Sequence, residues 1–232
     1  MIVDEIAGIR IPDSKLAREV TQFIRDTESD FLFEHSARVY FWGAMAGKRR
    51  SLTFDPELFY TAAMFHDVGL TEGFRESHLR FEVDGANAAR DFLRSHGISE
   101  AEIERVWLAI ALHTTPGISP HLHPIAALTA EGVMMDLLGL GYDDFTDAQR
   151  NAVEAVCPHP PHFTEDLLQA LYDGLKHRPE TTQGTGLADV VAEKNPQFHR
   201  RNFCGLMRNS RWIMGNEREH GAVSSKNVRK NP

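Results

Sequence analysis

The spacing of apolar residues is the feature that most restricts the fold of this chain. In segment after segment they recur every three or four positions, as Leu16, Val20, Phe23 and Ile24 do. This spacing matches the 3.6-residue period of an amphipathic α-helix. No stretch alternates for long between apolar and polar residues, which is the pattern of a half-buried strand. The sequence therefore predicts an all-α fold.

Capping residues mark where the helices should begin. Asp13 or Ser14 precedes the first helix, Asp55–Pro56 opens the third, and Ser99–Glu102 forms a capping box. Residues 142–165 are polar and rich in proline, so we expect a long loop there. Further helices are predicted over about 30–48, 55–66, 82–95, 100–113, 125–138, 163–175, 187–192 and 201–212.

Composition restricts the class of protein. The 232 residues are 42% hydrophobic and 25% charged, as in ordinary soluble proteins. A net charge of −8 argues against a nucleic-acid-binding surface. The two cysteines form no CxxC motif, which fits a reducing cytosol. We see no signal peptide and no apolar stretch approaching ~20 residues, so we expect a cytoplasmic protein without a membrane span.

The same reading gives the domain organisation. We predict one helical domain over residues 1–215, with its core at about 30–140. The polar segment 216–232 is predicted to be a disordered tail.

One candidate site stands out in the stretch AAMFHDVGL, residues 62–70. Imidazole and carboxylate groups, here His66 and Asp67, are the usual protein ligands of zinc and similar ions. His66 falls near the buried stripe of its helix, and Asp67 is rotated from it by about 100°. Gly69 is expected to end the helix in a left-handed conformation. Taken alone, the pair fits a metal site or a core histidine beside an aspartate.

Two other residues share this ambiguity. His35 stands where the apolar stripe of the second helix needs a member, which also suits a hydrogen-bonded core histidine. Asp136 lies inside a very apolar helix, where it must face solvent or meet a buried partner. A metal ion would be such a partner.

Together these residues form the ordered set H…HD…D, and the neighbouring sequence sharpens it. The segments are EHSARVYFW, FHDVGL, FEVDGANAARDFL, ALHTTP and EGVMMD. Over about 31–139 the chain resembles the HD-domain superfamily of metal-dependent hydrolases, and within it the cyanamide hydratase branch. The resemblance implies an HD-type helical bundle. It also implies a divalent metal held by His35, His66, Asp67 and Asp136.

Two departures from the superfamily pattern refine this expectation. Many HD phosphodiesterases carry a phosphate-binding lysine where this chain has Leu70. Binuclear members carry a histidine before the Gly–Ala element, but here Phe81–Asp84 precedes Gly85–Ala86. The resemblance therefore favours one metal ion, zinc above iron or manganese, and disfavours phosphate chemistry.

The chemistry implied is hydration of a small nitrile-like substrate, such as cyanamide to urea, by metal-activated water. Asp67 would act as a ligand at the reacting centre. His113 and one of Glu82 or Asp84 are candidates for moving protons. The alternatives are that His113 orients a metal ligand and that Glu82 and Asp84 are exposed charges at a helix start. The small, dry pocket would be walled by Phe31, Phe65, Phe81 and Trp42.

Two alternatives remain open. The first is an HD phosphohydrolase acting on a nucleotide, whose phosphate could contact Arg38, Lys48, Arg75 and Arg80. The second is a non-catalytic, metal-bound helical module. The expected partner is a small molecule rather than nucleic acid or a membrane, and the sequence is compatible with a monomer or a homo-oligomer.

Overall fold

The computed structural model describes residues 5–210, and they fold as an all-α bundle. Two short antiparallel strands, β1 (Glu5–Ile6) and β2 (Ile9–Arg10), precede the helices. The helices are α1 (Lys15–Thr27), α2 (Asp30–Arg49), α3 (Pro56–Phe65), α4 (Phe81–Ser95), α5 (Glu100–Ala111), α6 (Pro124–Leu138), α7 (Asp147–Glu154), α8 (Phe163–Leu175), α9 (Leu187–Lys194) and α10 (Phe203–Arg208). The all-α prediction is confirmed. In this part of the chain, no helix has the length and apolar character needed to cross a membrane.

The helix starts follow the capping residues in the sequence. Ser14 caps α1 by accepting a hydrogen bond from the Ala17 amide at 3.0 Å. Asp55 caps α3, and Ser99 and Glu102 form the predicted capping box of α5. Each cap satisfies amides of the first turn that have no partner inside the helix.

The predicted loop over 142–165 is wrong in part, because α7 lies within it. This helix begins with a second capping box, in which Thr146 and Gln149 bond each other's amides. Val153 is its one buried residue, so the helix carries too little apolar periodicity to be seen in the sequence. The predicted tail over 216–232 lies outside the described residues, as does the end of the helix predicted over 201–212.

Helix α2 runs through the centre of the bundle. Every residue from His35 to Gly47 is buried, as expected of a helix enclosed on all sides. It packs along α6 and against α3, so the three helices that carry the H…HD…D set are neighbours.

A smaller apolar cluster joins the C-terminal helices to the turn after α3. In it, residues of α8 and α9 pack on the side chains near the His66–Asp67 pair. We call this group the C-terminal cluster; its buried members are Leu32, Leu70, Phe81, Leu167, Leu171, Leu175 and Val191.

Truncating a central side chain of the main apolar core is expected to lower the free energy of unfolding strongly. Leu93 of α4 is fully buried in this core. We expect Leu93→Ala to lower the free energy of unfolding by about 2–5 kcal/mol, because it removes apolar contacts and leaves a cavity. Chemical denaturation monitored by circular dichroism measures this, and a loss below about 0.5 kcal/mol, typical of surface substitutions, would contradict it.

Candidate metal centre

His66 and Asp67 lie where α3 ends. His66 follows the last residue of the helix, and Asp67 precedes a 3₁₀ turn over Val68–Leu70. The Leu70 amide donates to the Asp67 carbonyl oxygen at 2.9 Å and closes this turn. Both side chains of the pair are buried. The turn therefore holds two polar groups inside the protein, where they need partners.

The expected left-handed conformation of Gly69 is wrong. Gly69 is not among the glycines with positive φ in the described residues. Its backbone instead passes so close to α4 that an added Cβ would lie 2.0 Å from the Phe81 carbonyl oxygen. Glycine is needed here because two backbone segments approach each other closely.

His35 of α2 meets this pair. Its Nε2 lies 3.2 Å from the Nε2 of His66 and 3.6 Å from Oδ2 of Asp67. The same carboxylate oxygen is 3.3 Å from the Nε2 of His66. Within residues 5–210, these three side chains form the one group of histidine, cysteine and acidic residues whose ligand atoms all lie within 4.8 Å of one another.

The hydrogen bonds on the far side of each ring fix which nitrogen carries the proton. Nδ1 of His66 lies 2.7 Å from the Ala63 carbonyl oxygen, which can only accept, so this nitrogen donates. Nδ1 of His35 lies 2.7 Å from Oδ2 of Asp136 and donates likewise. In the neutral rings both Nε2 lone pairs therefore point at each other and at Asp67. A cation between them would stabilise such a convergence of Lewis bases, and the donor set fits a divalent metal.

The charges at the centre also favour a cation. Burial by itself would raise the pKa of Asp67, but the neighbouring His66 and His35 lower it below its ordinary value. Burial would lower the pKa of His66, but the Asp67 carboxylate raises it. Asp67 is therefore ionised, and its negative charge attracts either a proton or a metal ion to the space beside His66.

Asp136 lies on the opposite side of His35 from this group. Its Oδ2 contacts Nδ1 of His35, and its Oδ1 accepts from Nε of Arg38 and Nε1 of Trp42, each at 2.9 Å. Oδ1 also lies 3.2 Å from Nε2 of His159. Burial opposes the ionisation of Asp136, but hydrogen bonds with His159 and His35 lower its pKa. The structure thus brings Asp136 to the centre through the second nitrogen of His35.

Comparison with known protein families decides the class of this site. The family model described as HD domain matches residues 32–150, about half of the 232 residues. The chain belongs to the HD-domain family. No match was found among curated proteins. Membership and the buried His35–His66–Asp67 group together identify a metal-dependent hydrolase that uses a divalent ion.

In this HD domain, His113 lies next to the metal centre. It follows the end of α5, and its ring packs edge-on against that of His66 with centroids 4.9 Å apart. Nδ1 lies 2.6 Å from the Ile110 carbonyl oxygen and donates to it, so the lone pair of Nε2 faces Oδ1 of Asp67 at 3.8 Å. Burial and the charge of His66 lower the pKa of His113 to about 4. At neutral pH it is therefore an uncharged base.

The two acidic candidates of α4 have different surroundings. Glu82 is buried and bonded by Arg80 and Thr114. Burial would raise the pKa of Glu82, but its hydrogen bonds with Arg80 and Thr114 lower it, so it is ionised beside His113. Asp84 instead pairs with Arg178 and accepts from the Ser77 hydroxyl at 2.9 Å.

The four basic residues considered for phosphate binding are dispersed or already paired. Lys48 is thirteen residues beyond His35 along α2, which corresponds to about 20 Å. The exposed Arg75 pairs with Glu72 at 3.0 Å. Arg80 bonds Glu82, and Arg38 bonds Asp136.

The aromatic residues expected to wall the pocket divide into two groups. Phe81 packs edge-on against His113 with centroids 5.6 Å apart. Phe31 contacts Phe163, whose centroid lies 6.4 Å from that of His35. Phe65 instead stacks on Phe23 and packs against Phe92. Trp42 serves the site as a hydrogen-bond donor to Asp136.

Sequence reasoning missed three contributors. His159 lies in the loop after α7, and no spacing in the sequence points to its contact with Asp136. Glu28 is buried beside Ser36, and burial together with the charge of Asp67 raises its pKa, so this carboxyl stays protonated. The third, Arg178, is fully buried. By contrast, the sequence did indicate that Arg38 and Trp42 lie beside His35, because they follow it by three and seven residues on one helix face.

Proposed function

We propose that this HD domain hydrates a small, neutral, nitrile-like substrate such as cyanamide, giving urea. The observation that best supports this proposal is that the basic side chains near the buried His35–His66–Asp67 group already form ion pairs. Arg38 and Arg80 are each bonded to a carboxylate, and Leu70, at the position of the phosphate-binding lysine, is buried in the C-terminal cluster. A phosphoester would bring negative charge to a site whose nearby arginines are already neutralised, whereas cyanamide brings none.

Each residue of the site has a separate role in the proposed reaction. His35, His66 and Asp67 hold one divalent ion, for which zinc fits the imidazole-rich donor set, as iron or manganese would. When bound, such an ion lowers the pKa of water from near 16 toward ~7. His113 accepts a proton at Nε2 from the attacking water and returns it to the nitrile nitrogen. Water thus adds across the C≡N bond, and the adduct rearranges to urea.

Glu82 supports His113 in this proposal. Its ionised carboxylate, fixed by Arg80 and Thr114, stabilises the charge that His113 acquires when it takes the proton. Asp84 has no proton-transfer role here, because its bond with Arg178 gives it a structural one.

Asp136 acts through His35 rather than as a direct ligand of the ion. Its contact with Nδ1 holds the ring so that Nε2 faces the other ligands, an arrangement common for metal-binding histidines. Arg38, Trp42 and His159 in turn fix the carboxylate.

One observation favours the phosphohydrolase alternative. Among residues 5–210, the Nη2 of the buried Arg38 has no hydrogen-bond partner. A phosphate oxygen of a nucleotide could accept from it. A free donor of this kind would also suit the nitrile nitrogen of a neutral substrate.

A paired assay tests the proposal. We expect metal-loaded protein to release urea from cyanamide and to release little phosphate from a panel of nucleoside monophosphates. His66→Ala should abolish urea release, because it removes a ligand of the ion. Efficient nucleotide hydrolysis without urea formation would instead favour the phosphohydrolase alternative. Binding of metal without turnover of either substrate class would support the non-catalytic module.

A further inference from the structure

Within residues 5–210, Arg178 is the most enclosed charged residue outside the segment that the HD family model matches. It stands three residues beyond the last residue of α8 and is 1% exposed. Burying a guanidinium is costly unless every donor finds a partner. The partners of Arg178 therefore show what it holds in place.

Those partners converge on the turn that follows Asp67. One amino group of Arg178 bonds the Gly69 carbonyl oxygen. The other pairs with the Asp84 carboxylate and donates to the Leu79 carbonyl oxygen at 3.0 Å. One planar guanidinium thus ties the turn to α4 and to the segment before it.

Helix α8 presses on the same turn. An added Cβ on Gly174 would lie 2.8 Å from the Leu70 carbonyl oxygen, so the helix backbone approaches the turn directly. Leu70 itself packs in the C-terminal cluster with Leu171 and Leu175. The turn is held by this cluster and by Arg178.

We propose that Arg178 is a positioning residue of the metal centre, fixing the turn after Asp67 through the Gly69 carbonyl and Asp84 and so setting the affinity for the ion. This proposal rests on the metal centre of the proposed function but not on the proposed substrate. The physical reason is that Asp67 lies two residues before Gly69, inside the same hydrogen-bonded turn. Fixing the turn lowers the entropy that Asp67 loses when it binds the ion.

Affinity for Zn²⁺, measured in competition with a chromophoric chelator, tests the proposal. We expect Arg178→Lys to weaken Zn²⁺ binding about 10-fold or more, the range for residues that orient metal ligands. A lysine ammonium cannot serve Asp84 and the Gly69 carbonyl with the fixed fork of arginine. Arg178→Met should weaken binding further.

The matched control is Leu93→Ala, which lowers stability from a position in the main core. Zn²⁺ affinity is measured well below the unfolding transition of each variant, where stability alone does not alter binding to the folded chain. Leu93→Ala should therefore keep the wild-type Kd. If its Kd rises as much as that of Arg178→Lys, the effect is one of general destabilisation and the proposal fails.

The remaining outcomes are also decisive. Wild-type Kd in the folded Arg178 variants overturns the proposal. If neither variant folds, Asp84→Asn decides it, since loss of the ion pair should still weaken Zn²⁺ binding and an unchanged Kd would refute the role. A wild-type chain that binds none of Zn²⁺, Fe²⁺ and Mn²⁺ overturns both this proposal and the proposed function. Metal binding without urea release overturns only the substrate.

Discussion

The purified chain is expected to contain about one equivalent of a divalent metal, and His66→Ala and Asp67→Ala are each expected to lose it. Either substitution leaves two of the three ligands that meet within 4.8 Å. Because the ion binds only the folded chain, a free-metal concentration of about 100 times Kd should stabilise the wild type by about 2.7 kcal/mol. Elemental analysis and thermal unfolding with and without chelator measure the two effects.

A histidine remote from the ligand group provides the control. His121 is exposed in the 3₁₀ turn after α5, so His121→Ala should keep the metal and its stabilising effect. Full occupancy in both ligand variants would refute the assignment of the centre.

The substitutions Asp67→Asn and Asp136→Asn distinguish a direct ligand from an orienting residue. We expect the first to abolish binding and the second to weaken it by about 10–100-fold, because Asp136 acts through His35. Equal and complete loss in both would place Asp136 among the direct ligands.

Replacing His113 by alanine should reduce turnover of cyanamide by about 10²–10⁴-fold, the usual contribution of a positioned general base. The metal should remain bound, because the lone pair of His113 faces Asp67 at 3.8 Å while the ion is held by other residues. Steady-state kinetics and metal analysis on the same preparation separate the two properties.

Here too His121→Ala is the reference, with turnover expected to equal that of the wild type. If His113→Ala loses the metal along with activity, His113 is a ligand rather than a proton carrier. Unchanged turnover would exclude it from the reaction.

The sequence predicts those parts of the fold whose causes are local. The cap at Ser14, the capping box at Ser99 and the long apolar face of α2 are each determined by residues within one or two turns of a helix. The short helix α7 escaped because Val153 is its one buried residue. Its capping box was the available signal.

The candidate site also has parts that could be predicted from the sequence and parts that could not. The pair His66–Asp67 is adjacent in sequence, so its chemistry could be predicted. The contacts of His159 with Asp136 and of Arg178 with Gly69 join residues 23 and 109 positions apart in the chain. No periodicity links such positions, because these contacts depend on how loops and helices pack in three dimensions.

The C-terminal cluster has a consequence for the order in which the protein is made. Leu32, Leu70 and Phe81 are synthesised long before their partners on α8 and α9. A nascent chain that ends at residue 150 would expose these apolar side chains and lack the guanidinium that closes the turn after Asp67. A chain that lacks α8 and Arg178 therefore lacks these contacts with the turn after Asp67, so we expect the metal centre to reach its final geometry only once α8 and Arg178 have been synthesised.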